Sequence, residues 1–267
     1  MSKPLSSIQK ITLTSMLLVL DVLFTHFLRT PTIGSLPFLR ISLGPSIVIF
    51  SSLLLGPFYG AIVGGAGDLI GIFIFSGLEG QINPLITIVY ALLGVLPWCL
   101  MRVFSRFRES LKKPYFLVAV MGLMLILLVC LFYAIPSTSE YFKNGFGEIS
   151  IWMEPLILSL TAFFFLVAGF GLFFMNRHFE KNSELASLPS PYEMAMICLI
   201  SEVILMVGLL PLAFYLFYNF MADEIWPISY GTLFSCMFVF TGIKVVINTF
   251  VMYWLLVVTK KYLVKGE

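Results

Sequence analysis

Leu55-Gly56-Pro57-Phe58-Tyr59-Gly60-Ala61-Ile62-Val63-Gly64-Gly65-Ala66-Gly67-Asp68-Leu69-Ile70-Gly71 is the stretch on which the fold turns. Gly56-Pro57 separates two apolar runs so closely that they form either a tight hairpin or a tilted, irregular pair. Beyond it, Gly60, Gly64, Gly67 and Gly71 recur at helical spacing on one face, where the backbone of a neighbouring helix can approach closely. Asp68, four residues after Gly64, borders that face. It either caps or bonds a neighbouring backbone, or it belongs to a polar cavity.

The rest of the chain has the composition that such a helix needs around it. Of the 267 residues, 60% are hydrophobic and 11% charged, with a mean hydropathy of +1.01. A soluble domain carries roughly 25% charge, so a soluble enzyme is excluded and an integral membrane protein is required. The net charge of +2 gives no basis for nucleic-acid binding. Cys99, Cys130, Cys198 and Cys236 each lie in an apolar run with no CxxC spacing, which indicates neither a metal site nor a disulfide framework.

Apolar runs near 9–28, 42–55, 57–76, 83–102, 115–135, 151–175, 192–218 and 228–259 read as eight spans, the second short and the last two long enough to tilt or project into water. The first run is longer than a signal-peptide core and no A-x-A site follows it, so it is expected to be retained. Lys and Arg set the orientation. With the N-terminus inside, twelve of the sixteen fall in inner segments: Lys3, Lys10, Arg102, Arg106, Arg108, Lys112, Lys113, Arg177, Lys181, Lys260, Lys261 and Lys265. Arg29, Arg40 and Lys143 fall outside, and Lys244 lies within a span. An even span count with both termini cytoplasmic fits this distribution.

An ionisable group at a helix centre costs about 2.5–3.5 kcal/mol on insertion scales and needs a partner, a cavity or a function. Glu154 and Glu193 sit near span ends and are expected to snorkel or to meet interfacial water. Asp21 and Glu202 are deeper and read as structural hydrogen-bonding residues. Lys244 shares one face with Thr241 and Asn248, and is expected either to pair with Asp68 or Glu202 or to contact a ligand. In the loop from Leu28 to Ser42, Arg40 stands where the chain re-enters the membrane, suited to a carboxylate through its fork or to a headgroup phosphate. The Ser76 to Pro84 loop, with Gln81 and Asn83, is placed to close over the same mouth.

Catalytic signatures are missing. His26 and His178 are isolated, and no H-E-x-x-H, G-x-S-x-G or Walker A sequence occurs, so no metal site, no resident cofactor and no ATP hydrolysis by this chain are expected. Energy for any transport would come from a gradient or another subunit. The halves show no inverted repeat, which argues against a stand-alone secondary transporter.

The ordered set Leu39-Arg40-Ile41-Ser42-Leu43-Gly44-Pro45, Leu55 to Ala61, Val63-Gly64 and Gly67 to Gly71 resembles the substrate-binding (S) component of energy-coupling factor (ECF) vitamin transporters, most closely the folate type. Asn83-Pro84-Leu85, Ala91-Leu92-Leu93-Gly94 and Thr241-Gly242-Ile243-Lys244 continue the likeness, which is close over 8–102 and loose over 192–262. The resemblance implies an all-α, six-helix bundle that binds a vitamin at its outer end. It has no ATPase of its own, docks on a membrane coupling subunit carrying two cytoplasmic ATPases, and topples in the membrane to release its cargo.

On this reading the chain is a single membrane domain, 1–267. Residues 8–102 supply the first four core helices, 103–190 an inserted helix pair with loops, and 191–262 the last two core helices. Arg40, Ser42, Gln81, Asn83, Lys244 and Asn248 are the expected substrate-binding residues. Arg40 orients an anionic ligand, with folate first. Gly60, Gly64, Gly67, Asp68 and Gly71 form the packing face or polar cavity. The family's first helix often docks through an Ala-x-x-x-Ala face, for which Thr12, Ser15 and Val19 are the nearest match here. The alternative is a non-transporting scaffold or lipid-interacting protein, in which Lys244→Met would cost little. A membrane enzyme would need a nucleophile and base that the sequence does not assemble.

Overall fold

The computed structural model describes residues 6–27, 42–75, 82–107, 153–181, 188–221 and 230–265, with isolated positions between 113 and 130, and not every side chain within 153–181 and 230–265. The helices are α1 (Ser7–Val22), α2 (Gly44–Leu55), α3 (Pro57–Phe75), α4 (Pro84–Ser105), α5 (Met153–Lys181), α6 (Pro191–Ser201), α7 (Leu210–Leu216) and α8 (Tyr230–Lys265). Wider π-helical turns extend α1 through Leu23–Phe27, join α6 to α7 through Glu202–Leu209 and extend α7 through Phe217–Met221. The described residues contain no strand.

Helix starts follow local chemistry. The Ser6 hydroxyl accepts from the Gln9 N–H while the Gln9 side chain accepts from the Ser6 N–H, closing a capping box on α1. Ser190 and Glu193 do the same for α6, with Pro191 in the first turn. Glu193 therefore does not snorkel: it is buried, and its carboxylate holds the Ser190 N–H at 2.7 Å. The side chain of Glu154 lies outside the described residues. Between α2 and α3 a single residue makes the connection. Gly56 adopts φ +101°, a left-handed conformation that a side chain would strain, and Pro57 starts the next helix.

Among the described residues, four helical segments are long and apolar enough to cross a membrane: Ser7–Phe27, Pro57–Phe75, Pro84–Ser105 and Pro191–Phe220. Gly44–Leu55 is short, as its sequence indicated, while α8 runs for 36 residues, about 54 Å at a helical rise and well beyond a ~30 Å hydrocarbon core. Most of the expected span at 115–135 lies outside the described residues.

The glycine face of α3 divides between two neighbours. A Cβ at Gly60 or Gly64 would meet the carbonyl oxygen of Gly94 or Tyr90 on α4, whereas one at Gly67 or Gly71 would meet Asp21 or His26 on α1. Packing is most extensive between α3 and α4, and α2 fills the angle between them. The second layer is α8 against α6, the π-helical segment and α2, with α4 reaching α6 and α7. Helix α5 touches α6 and α8 along Leu172, Asn176 and Phe179 and turns Phe163, Leu166 and Phe170 outward. Such an apolar exterior suits lipid rather than water.

Candidate binding cavity

A cavity of about 220 Å³ opens among α1, α2, α3, α4, the α6–α7 segment and α8. Thr25 and His26 enter from the end of α1, Ser42 and Pro45 from the start of α2, and Asp68 and Ile72 from the later half of α3. Ile86 and Tyr90 come from the first turns of α4, Met206, Leu210 and Phe214 from the α6–α7 segment, and Lys244 from α8. Glu202 completes the wall at the first residue of the π-helical segment. Pro211 explains part of that irregularity, because it has no N–H to give the ladder and its ring crowds the turn before it. The Tyr230 hydroxyl donates to the Gly208 carbonyl at 3.2 Å, satisfying one group in the loosened stretch.

Buried polar bonds fix the surrounding helices. The Ser46 hydroxyl donates to Asn248 Oδ1 at 2.6 Å, and Asn248 Nδ2 donates to Glu202 Oε1, also at 2.6 Å, tying α2, α8 and the π-helical segment together. Glu202 Oε2 is buried with no hydrogen-bond partner. Lys244 lines the same cavity, and its positive charge acts on Glu202. Across the bundle, the Thr87 hydroxyl donates to Asp68 Oδ2 at 2.7 Å and the Thr25 hydroxyl to Asp21 Oδ1 at 3.0 Å. Gly44 lies so close to Thr25 that any Cβ there would collide with its hydroxyl, which sets the seam between α1 and α2.

Of the expected site residues, Ser42, Lys244 and Asp68 line the cavity. Asn248 lies behind it, with both polar atoms engaged. Asn83 caps α4, accepting from the N–H groups of Leu85 and Ile86 and donating to the Ala213 carbonyl at 3.3 Å. Arg40 and Gln81 lie outside the described residues. Thr12, Ser15 and Val19 are exposed on one side of α1, the two hydroxyls bonded back to the carbonyls of Ile8 and Ile11. Glu202 is the lining residue that the sequence reading set aside as structural. Its signal was an acidic residue in the middle of a 30-residue apolar helix.

A second cavity of about 260 Å³, near Arg102, Pro189 and Ile197, is chemically less open. Its acid, Glu193, closes the α6 cap, and the Arg102 guanidinium stacks on Trp98 at 3.7 Å. Among the described residues no three metal-ligating side chains converge.

A helical bundle with an apolar exterior and an interior cavity of mixed charge defines a membrane binding protein. The chain belongs to the family of ECF transporter substrate-specific components, whose family model matches residues 9–176, more than half of its length. No curated protein and no solved structure matches it. It is thus a substrate-binding transporter subunit and not an enzyme. Proteins of this kind bind small molecules and act with ECF ATPase and membrane coupling components.

Proposed function

We propose that this subunit captures a small water-soluble vitamin or vitamin-like compound from outside the cell and delivers it inward with a membrane coupling subunit and two cytoplasmic ATPases. The observation that carries the reading is the cavity itself, where Ser42, Asp68, Glu202 and Lys244 converge inside an apolar bundle. Folate is the first candidate, through the likeness of the N-terminal block to the folate type. The proposed site joins Ser42 and Lys244 on the wall to Asn248 behind it, with Arg40, Gln81 and Asn83 in the covering loops.

The proposed architecture is eight spans in the cell membrane with both termini cytoplasmic. Its core is α1 to α4, the α6–α7 segment and α8, and residues 103–190 are an insertion. Packing supports this division, because α6 and α8 join α2 and α4 while, among the described residues, the main contacts of α5 are with α6 and α8. Thr12, Ser15 and Val19 are proposed to meet the coupling subunit, and their exposure on α1 leaves them open to it.

Two measurements test the capture reading. Mass spectrometry of the protein purified from cells is expected to find a stoichiometric small molecule. Arg40→Ala is expected to weaken binding of that molecule at least about tenfold, the loss of one charge-assisted contact. Unchanged affinity would remove Arg40 from the site, and a protein that carries nothing and binds no vitamin would return the scaffold reading.

A further inference from the structure

Glu202 is 1% exposed and shares the cavity wall with the Lys244 charge: Asn248 Nδ2 occupies Oε1, and Oε2 has no hydrogen-bond partner although it belongs to a wall residue of the cavity. A buried carboxylate oxygen without a donor is costly, and a transporter subunit has an evident use for one that a ligand completes. The charged side chains around the space are Glu202 and Asp68 against Lys244, with His26 at the end of α1 and Asp21 behind Thr25. Among the described residues the lining is therefore richer in acceptors for N–H groups than in cations. Apart from the hydroxyls of Thr25 and Ser42, the remaining wall is apolar and aromatic, with Tyr90 and Phe214 among its members, which suits a flat ring. At about 220 Å³ the space is smaller than the ~300–1,000 Å³ of sites that enclose a drug-sized ligand. It holds a head group rather than a long molecule.

We propose that Glu202 is the head-group receptor, its free Oε2 accepting an N–H from a compact, planar, amidine-like or amino-heteroaromatic head, with Asp68 as a further acceptor and Lys244 facing the ligand's own acceptor atoms. This rests on the capture reading and reverses the emphasis on an anion: any carboxylate of the ligand points toward the mouth, and the buried end of the ligand is a donor. A folate-like molecule meets both demands, because its head carries adjacent N–H donors and its tail carries the carboxylates.

The test uses the full-length protein in detergent with two flat probes of the same size and opposite charge, benzamidine and benzoate. Calorimetry is expected to show benzamidine binding more tightly than benzoate to the unaltered protein, a preference that needs no variant to fold. Glu202→Gln retains an oxygen for Asn248 but presents an amide donor where Oε2 stood. It is expected to weaken benzamidine about tenfold and leave benzoate unchanged or improved. Tighter benzoate binding, equal benzamidine affinity in Glu202→Gln, or no binding of either probe overturns the assignment. If a small molecule still co-purifies in those cases, only the role of Glu202 falls; if none does and no vitamin binds, the capture reading falls with it.

Discussion

Gly94→Ala is expected to destabilise the bundle by at least about 3 kcal/mol, the upper end of over-packing effects. The added Cβ would land on the backbone of Gly60 and Ala61, and the reciprocal Cβ at Gly60 would land on the Gly94 carbonyl with the Ser52 Cα 2.9 Å away. None of these atoms can rotate aside as a side-chain end can, so the helices themselves must separate. Separation strips van der Waals contact along the most extensive interface in the protein, and membrane helices have no hydrophobic force between them to restore it. The same movement shifts Asp68 and Tyr90, which line the cavity from the two helices concerned. Gly65→Ala on α3 is the internal control, since its Cβ would come no closer than 3.3 Å, to the Ala91 methyl, with backbone atoms of Ala91 and Thr87 at an ordinary 3.9 Å; a loss of about 1 kcal/mol or less is expected there. Heating the detergent-solubilised variants and following the monodisperse fraction by size-exclusion chromatography compares them. Equal melting temperatures for the two substitutions would show that α3 and α4 do not depend on this close approach.

That seam was legible in the sequence because its determinants are local. Gly60, Gly64, Gly67 and Gly71 carry their spacing on one helix, and Gly56-Pro57 carries the break that starts it. What spacing cannot tell is which partner each glycine meets, and the face proved to serve α4 with its first half and α1 with its second. Asn83 shows a second local signal: an Asn directly before Pro84 is a helix cap by its own chemistry, and its side chain closes the first turn of α4. Glu202 shows the opposite limit. Its partner Asn248 lies 46 residues away, and Ser46 is 202 residues from Asn248, so nothing near Glu202 in the chain identifies a role for it. The π-helical stretches are also invisible to a 3.6-residue periodicity, although the one from Glu202 to Leu209 turns a buried acid into a wall of the cavity.

Asn248→Leu is expected to cost about 3 kcal/mol or more, for a change of nearly constant volume. Asn248 is buried and gives one bond to a carboxylate and accepts another from a hydroxyl, so leucine leaves Glu202 Oε1 and the Ser46 hydroxyl both unpaired, and the penalty for a charged group exceeds that for a neutral one. Glu202→Met combined with Asn248→Leu is expected to recover part of that loss, because the acid that suffered by losing its donor is then gone and an apolar pair packs where a polar one stood, while Lys244 on the same wall loses its counter-charge. The double variant should nonetheless bind ligand no better than the weaker single one, since the acceptor oxygen is absent. A double-mutant cycle on equilibrium unfolding, run beside binding of the co-purified ligand, separates the two quantities. Recovery of stability without recovery of binding means that the Ser46–Asn248–Glu202 chain is kept for what it presents to the cavity. A double variant as unstable as Asn248→Leu alone would mean that it is kept to hold α2 and α8 on the π-helical segment.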